Sequence, residues 1–247
     1  MSSGADDSHL GDTHVPGDRQ LSTSGIRKGD ALDRYVILDI LAVGGMGEVY
    51  AAWDPDLDRK VAIKVLRPDI GDAALTDELK QRLLVEAQSL ARLAHPNVVT
   101  VHDVGLAGDR VYLAMEFIEG RTLRDWLKQV PRPGWPRILE MFLAAGEGLA
   151  AAHDKGLTHR DFKPENVVVG RDGRARVMDF GLAHAHASPQ QQPGRRTITQ
   201  PGAMLGTPAY MSPEALHGQP TDARSDVFSF CVALYEALYG QRPFEGA

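Results

Sequence analysis

Apolar side chains divide the first half of the chain into short strands and one helix. Runs rich in β-branched and aromatic residues occur at 35–38, 49–52, 61–66, 98–104 and 111–117, and such runs favour strands. Residues 77–93 instead carry apolar side chains at helical spacing, with Leu84, Ala87 and Leu90 among them. The first half is therefore predicted to be a small sheet with one long helix.

The second half changes to helical spacing. Helices are predicted at 123–129, 138–153 and 227–239, and short strands at 167–169 and 176–178. Residues 183–201 are rich in Ser, Gln, Pro and Gly and are typical of a loop. A sheet-rich first lobe followed by a helical second lobe predicts an α+β fold with a cleft between the lobes.

Composition bears on the order of the N-terminal segment, on the class of ligand and on the cellular compartment. Residues 1–33 are rich in Gly, Ser, Asp and Thr without apolar periodicity, and we expect a disordered arm there, with the folded domain at 34–247. The formal net charge of −6 argues against nucleic-acid binding. The single cysteine, Cys231, excludes an internal disulfide, favours the cytoplasm and is expected to be a small buried residue. No apolar stretch is long enough to span a bilayer.

Two features of the first half suggest phosphate binding, and each is weak alone. Residues 41–49 place glycines between two strands, where the backbone can approach phosphate oxygens, although such a turn is usually only a turn. Lys64 ends an apolar strand and is either a solvated strand end or a phosphate ligand. A phosphate-binding lysine needs a carboxylate to hold it, and Glu86 in the long helix is the candidate. Glu86 could equally face solvent.

The strongest pattern lies in the second half. Residues 159–166 read His-Arg-Asp-Phe-Lys-Pro-Glu-Asn, and Asp-Phe-Gly follows at 179–181. Residues 206–214 read Gly-Thr-Pro-Ala-Tyr-Met-Ser-Pro-Glu, and Ser-Asp-Val-Phe-Ser follows at 225–229. In this order, the motifs resemble the protein kinase family, in particular bacterial-type Ser/Thr protein kinases, over residues 35–244.

The resemblance implies roles for individual residues. Asp161 is expected to accept the proton of the substrate hydroxyl, and Lys163 to reach the transferring phosphate. Asn166 and Asp179 are the expected Mg²⁺ ligands, and Lys64 with Glu86 the expected ion pair. ATP is expected to contact Leu41, Ala42, Val43, Gly44, Gly45, Met46, Gly47, Glu48, Val49, Ala62, Lys64, Met115, Glu116, Ile118 and Val168. Ala42 stands where the family pattern has glycine.

The loop from Asp179 to Glu214 corresponds to the activation loop. Thr197 and Thr199 are candidate phosphosites, and Arg160 offers a guanidinium for the new phosphate. The alternative is that both are ordinary exposed threonines.

The sequence thus predicts a two-lobed kinase-like fold, with an N-lobe at about 34–117 and a C-lobe at about 118–247. Family C-lobes continue with further helices, so we expect this one to be incomplete. The expected function is transfer of the ATP γ-phosphate to Ser/Thr of proteins. The alternatives are a pseudokinase or truncated fragment that binds nucleotide or a partner without catalysis, and, less favoured, a small-molecule kinase.

Overall fold

A computed structural model describes residues 24–45, 47–66, 77–108, 110–180 and 208–244. The first half forms a six-stranded antiparallel sheet with the strand order β1-β2-β3-β4-β6-β5. Its strands are β1 (Ala31–Leu32), β2 (Tyr35–Gly44), β3 (Gly47–Asp54), β4 (Arg59–Leu66), β5 (Val101–Ala107) and β6 (Arg110–Glu116). Helix α1 (Asp77–Ala91) packs against β5 and β6.

The second half is mainly helical around a three-stranded sheet. Its elements are β7 (Gly120–Thr122), α2 (Leu123–Leu127), α3 (Trp135–His153), β8 (Val167–Gly170), β9 (Ala175–Val177), α4 (Pro213–Leu216) and α5 (Ala223–Tyr239). Thr122 caps α2 by accepting a hydrogen bond from the backbone N–H of Asp125. One face of α3 buries Met141, Phe142 and Ala145 where the helix packs against β9 and α5.

One hydrophobic core joins the two halves. It runs from Ala87 and Leu90 of α1 to Phe142 of α3 and Val177 of β9. Backbone bonds reinforce the junction, because the Val99 N–H donates to the Val177 carbonyl at 2.9 Å. A second, smaller core around Tyr35, Tyr50, Ile63 and Tyr112 fills the opposite face of the first sheet. The two lobes are therefore joined by a packed and hydrogen-bonded region at the base of the cleft.

The two-lobed α+β prediction is confirmed, with local differences. Strand β5 begins at Val101 rather than at residue 98, and the short strands β1 and β7 were not predicted. Residues 24–33 belong to the folded structure and not to a disordered arm, because Ala31 and Leu32 pair with β2. Within the described ranges, no helix is both long and apolar enough to cross a membrane.

The expectation of a buried Cys231 is wrong. Cys231 is exposed on α5, at one-turn spacing from Val227 and Tyr235, which are also exposed. Side chains four residues apart share a helix face, so Cys231 belongs to the solvent-facing side of α5.

Candidate active site

The glycine-rich turn is a tight hairpin between β2 and β3. Gly44 pairs with Gly47 at its tip, and Gly47 has φ +150°. A Cβ added to Gly47 would lie 2.1 Å from the backbone oxygen of Val65, so no other residue fits there. Ala42 pairs with Val49 and is exposed. Met46 lies outside the described residues.

The side chain of Glu48 points away from the cleft in which ATP is expected to bind. Successive side chains of a strand point to opposite faces, and Tyr50, two residues on, belongs to the small core of the first sheet. Glu48 is 1% exposed, and its carboxylate accepts hydrogen bonds from Ser24 and Tyr50. Only the backbone of Glu48 remains a predicted ATP contact.

Lys64 lies in β4 and forms an ion pair with Asp179. The Lys64 Nζ is 2.8 Å from Asp179 Oδ1, and the lysine is buried. Burial alone would raise the pKa of Asp179, but the charge and hydrogen bond of Lys64 outweigh it and hold that pKa below its ordinary value. Asp179 is therefore an anion, the form in which a carboxylate binds a cation.

The expected pair between Lys64 and Glu86 is not formed. Glu86 instead faces Arg160, whose NH1 lies 3.8 Å from Glu86 Oε1. Desolvation raises the pKa of Glu86, and Arg160 offsets part of that rise. Helix α1 thus places Glu86 next to Arg160 of the catalytic loop (residues 159–166). The Glu86 carboxylate is partly desolvated and forms only a weak ion pair there.

The catalytic-loop residues converge as the sequence predicts. Lys163 Nζ lies 2.7 Å from Asp161 Oδ2. Asn166 Nδ2 donates to the Asp161 backbone carbonyl at 2.8 Å, and the Met178 N–H donates to the Asn166 carbonyl at 2.9 Å. These bonds fix Asp161, Lys163 and Asn166 relative to one another and to Asp179, the residue after Met178.

Asp226 anchors this loop, although the sequence analysis assigned it no role. It is 1% exposed and accepts bonds from the backbone N–H groups of His159 and Arg160, each at 2.7 Å. His153 Nε2 is 2.8 Å from the same carboxylate. Arg160 has φ +64°, a costly conformation for a non-glycine residue, and the bonds to Asp226 hold it. The available signal was an aspartate in the first turn of α5, directly before its apolar stretch.

The expected adenine walls come from both lobes. Ala62 and Met115 are cross-strand neighbours in β4 and β6, and Val168 lies on β8. Residues 116–118 are the expected connector between the two lobes. The Glu116 carboxylate accepts a bond from the Thr100 N–H at 3.0 Å and lies 3.7 Å from Nε of Arg176, on β9. Leu41 on β2, Val49 on β3, and Phe117 and Ile118 in the connector are at least partly exposed.

The donor set of Asn166 and Asp179 fits a hard cation. The side-chain nitrogen of Asn166 donates to Asp161, which leaves the side-chain oxygen of Asn166 as a candidate metal ligand. Asp179 is anionic. Mg²⁺ prefers oxygen ligands and completes its six-fold shell with phosphate and water. No cluster of three or more His, Cys, Asp or Glu side chains suited to a metal occurs among the described residues.

The candidate phosphosites Thr197 and Thr199 lie outside the described residues, as does Gly181 of the Asp-Phe-Gly motif. Tyr210 and Ser212, from the motif at residues 206–214, are buried beside the catalytic loop. The Ser229 hydroxyl donates to the Tyr210 carbonyl at 2.7 Å.

Sequence comparison agrees with this site. The protein kinase domain family matches residues 35–247. The chain is 43% identical over 217 residues to the serine/threonine-protein kinase pkn2 of Myxococcus xanthus, covering 86% of this chain and 25% of that protein. It is 42% identical over 219 residues to the serine/threonine-protein kinase PknB of Mycobacterium tuberculosis, covering 87% and 34%.

Structural comparison agrees as well. The crystal structure of the Mycobacterium tuberculosis PknI kinase domain matches with a TM-score of 0.69 and 27% identity, covering 89% of this chain and 79% of that one. The chain therefore belongs to the protein kinase domain family. It spans about a quarter to a third of the length of the curated relatives named above.

Proposed function

We propose that this domain transfers the γ-phosphoryl group of ATP to serine or threonine hydroxyls of protein substrates. The observation that carries the proposal is the convergence of Lys64, Asp161, Lys163, Asn166 and Asp179 on one cleft. The relatives named above are serine/threonine-protein kinases, which supports the same reaction class.

Each side chain has a task in this reaction. Asp161 orients the substrate hydroxyl and accepts its proton, and Lys163 neutralises charge that develops on the transferring phosphate. Lys64 binds the α- and β-phosphates. Asn166 and Asp179 would hold Mg²⁺, which would neutralise phosphate charge. The N–H groups of the β2–β3 hairpin cover the phosphates.

The test is phosphoryl transfer by purified protein. Radiolabelled Mg-ATP and a generic Ser/Thr protein substrate are incubated with wild type and with Lys64→Met. The proposal expects label on serine or threonine of the substrate with wild type, and a loss on the order of a hundredfold or more with the variant. Binding of ATP by wild type without any transfer would overturn it.

A second candidate is nucleotide binding without transfer. The observation that favours it is the pairing of Lys64 with Asp179 and of Glu86 with Arg160, because a Lys–Glu pair and a metal-bound aspartate are both needed for transfer in protein kinases. In that case Mg-ATP binds with measurable affinity and the transfer assay stays blank.

Membership of the protein kinase family suggests only the general kind of substrate, signal and cellular location. Protein substrates and a role in bacterial signalling are proposed by similarity to the relatives, and a cytoplasmic location stays a prediction. Autophosphorylation at Thr197 or Thr199 also stays a proposal, and mass spectrometry of the protein after incubation with Mg-ATP tests it.

A further inference from the structure

A serine that precedes the family match is bonded to the nucleotide hairpin. The Ser24 hydroxyl lies 2.5 Å from Glu48 Oε2 and 2.7 Å from the Tyr50 hydroxyl, and the Ser24 N–H donates to Glu48 Oε1 at 3.0 Å. Tyr50 also donates to Glu48. Both carboxylate oxygens of Glu48 are thus engaged by residue 24, which stands eleven positions before the family match begins at residue 35.

The segment that carries Ser24 is fastened to the sheet at three further points. Arg110 NH1 donates to the Ser24 carbonyl at 2.9 Å, and Ile26 packs against the small core of the first sheet. At the other end, the Gly29 N–H donates to the Ile37 carbonyl at 2.8 Å, and the Ile37 N–H donates to the Asp30 carbonyl at 2.9 Å. Residues 24–30 therefore form a clasp that ties β3, β6 and β2 together.

The burial of the Glu48 carboxyl group explains why these bonds matter. A carboxylate that is 1% exposed has lost its water, and donors in the protein must replace it. Removing one of its donors costs more than losing an exposed hydrogen bond, because water cannot readily replace that donor at a buried group. A chain without the Ser24 hydroxyl keeps the bonds from Tyr50 and from the residue-24 N–H, but holds the Glu48 side chain with one donor fewer.

Glu48 is well placed to pass such a movement to the phosphates. It directly follows Gly47, whose backbone packs against Val65 too closely for any Cβ, and it pairs with Val43 on the other arm of the hairpin. A shift of Glu48 therefore displaces the tip at Gly44 and Gly47. The opposite face of β3 at Val49 is the expected adenine wall.

We propose that Ser24 is a positioning residue of the nucleotide site and that residues 24–30 act as a clasp that holds the phosphate hairpin over the cleft. The inference rests on the proposed function, since it assumes that the hairpin covers the phosphates of ATP. It assigns a nucleotide-site role to a segment outside the family match.

The test compares Ser24→Ala with Ser24→Thr, which keeps the hydroxyl, and with Arg27→Ala, an exposed position on the same segment. Three quantities are measured on the full chain: deuterium uptake of residues 43–49 without nucleotide, the Kd of a non-hydrolysable Mg-ATP analogue, and the melting temperature. Ser24→Ala is expected to speed uptake in the hairpin and to raise the Kd about five- to tenfold. The two other variants are expected to stay within about twofold of wild type.

The outcomes separate the inference from the proposed function. A wild-type chain that does not bind the analogue refutes the proposed function, and the deuterium uptake then still decides whether Ser24 holds the hairpin. If wild type binds and Ser24→Ala matches it in Kd and hairpin uptake, the inference is wrong. A lower melting temperature with faster uptake throughout the sheet and an unchanged Kd gives Ser24 a merely structural role and also overturns the inference.

Discussion

Lys64 Nζ lies 2.8 Å from Asp179 Oδ1, so the proposed phosphate-binding lysine neutralises the proposed magnesium ligand directly. Glu86, the expected partner of Lys64, lies 3.8 Å from Arg160 instead. Mg²⁺ and ATP phosphates would bring both a cation for Asp179 and an anion for Lys64, so we expect nucleotide binding to replace this internal pair with two external ones. We then expect Lys64 to pair with Glu86.

This exchange predicts a specific effect of Glu86→Gln. The variant loses the charge that is expected to hold Lys64 during transfer, whereas in the nucleotide-free structure it loses only the 3.8 Å pair with Arg160. We expect kcat to fall on the order of ten- to a hundredfold while the Kd for Mg-ATP changes by no more than about threefold. Steady-state kinetics and analogue binding measure the two quantities.

Gln88→Ala, an exposed position on the same helix, is the matched control and is expected to behave as wild type. Unchanged kcat in Glu86→Gln would mean that Glu86 serves Arg160 alone.

The same variant has a pH signature in stability. Desolvation raises the pKa of Glu86 in the folded state above its ordinary value of 4.5. The folded state then binds more protons than the unfolded state just above pH 4.5, so the ionised carboxylate lowers stability as the pH rises. Glu86→Gln is therefore expected to be more stable than wild type at pH 7 and equally stable near pH 4.

Urea unfolding at the two pH values measures this difference. A variant that is less stable than wild type at pH 7 would show that the Arg160 pair outweighs desolvation.

A third prediction concerns the connector between the lobes. Arg176 of β9 is 11% exposed and contacts both Glu116 and Asp172, so it ties the connector to the C-lobe. Arg176→Gln is expected to raise the KM for ATP about three- to tenfold with little change in kcat, because the connector backbone should hold the adenine.

Arg174→Gln is the matched control, since Arg174 also pairs with Asp172 but is largely exposed. Equal effects of the two variants on KM would assign the result to Asp172 and not to the connector.

The sequence predicted the arrangement of the catalytic loop better than the ion pairs of Lys64 and Glu86. Asp161, Lys163 and Asn166 are close in sequence, so a short loop brings them near one another, and Asp226 of α5 then holds that loop. Lys64 and Glu86 lie on different elements, and their pairing depends on where α1 sits against the sheet. Periodicity sets which face of a helix is apolar, but it does not set the distance between a helix and a strand.

The placement of the Glu48 side chain and the exposure of Cys231 both had signals in the sequence. Glu48 and Val49 are neighbours on a strand, so only one of the two side chains can face the cleft. Cys231 falls at one-turn spacing from Val227 and Tyr235, and the three share an exposed face of α5. The segment at Ser24 had no such signal, because it is held mainly by hydrogen bonds and by one apolar side chain, Ile26, which create no periodic pattern.

The most direct test of the central claim is the rate of phosphoryl transfer by Asp161→Asn beside wild type. The change is nearly isosteric and removes the proton acceptor, so transfer from radiolabelled Mg-ATP to a Ser/Thr protein substrate should fall on the order of a thousandfold or more. The Kd for the nucleotide and the melting temperature should stay close to wild type. Transfer by Asp161→Asn at the wild-type rate, or binding without transfer by wild type, would contradict the account.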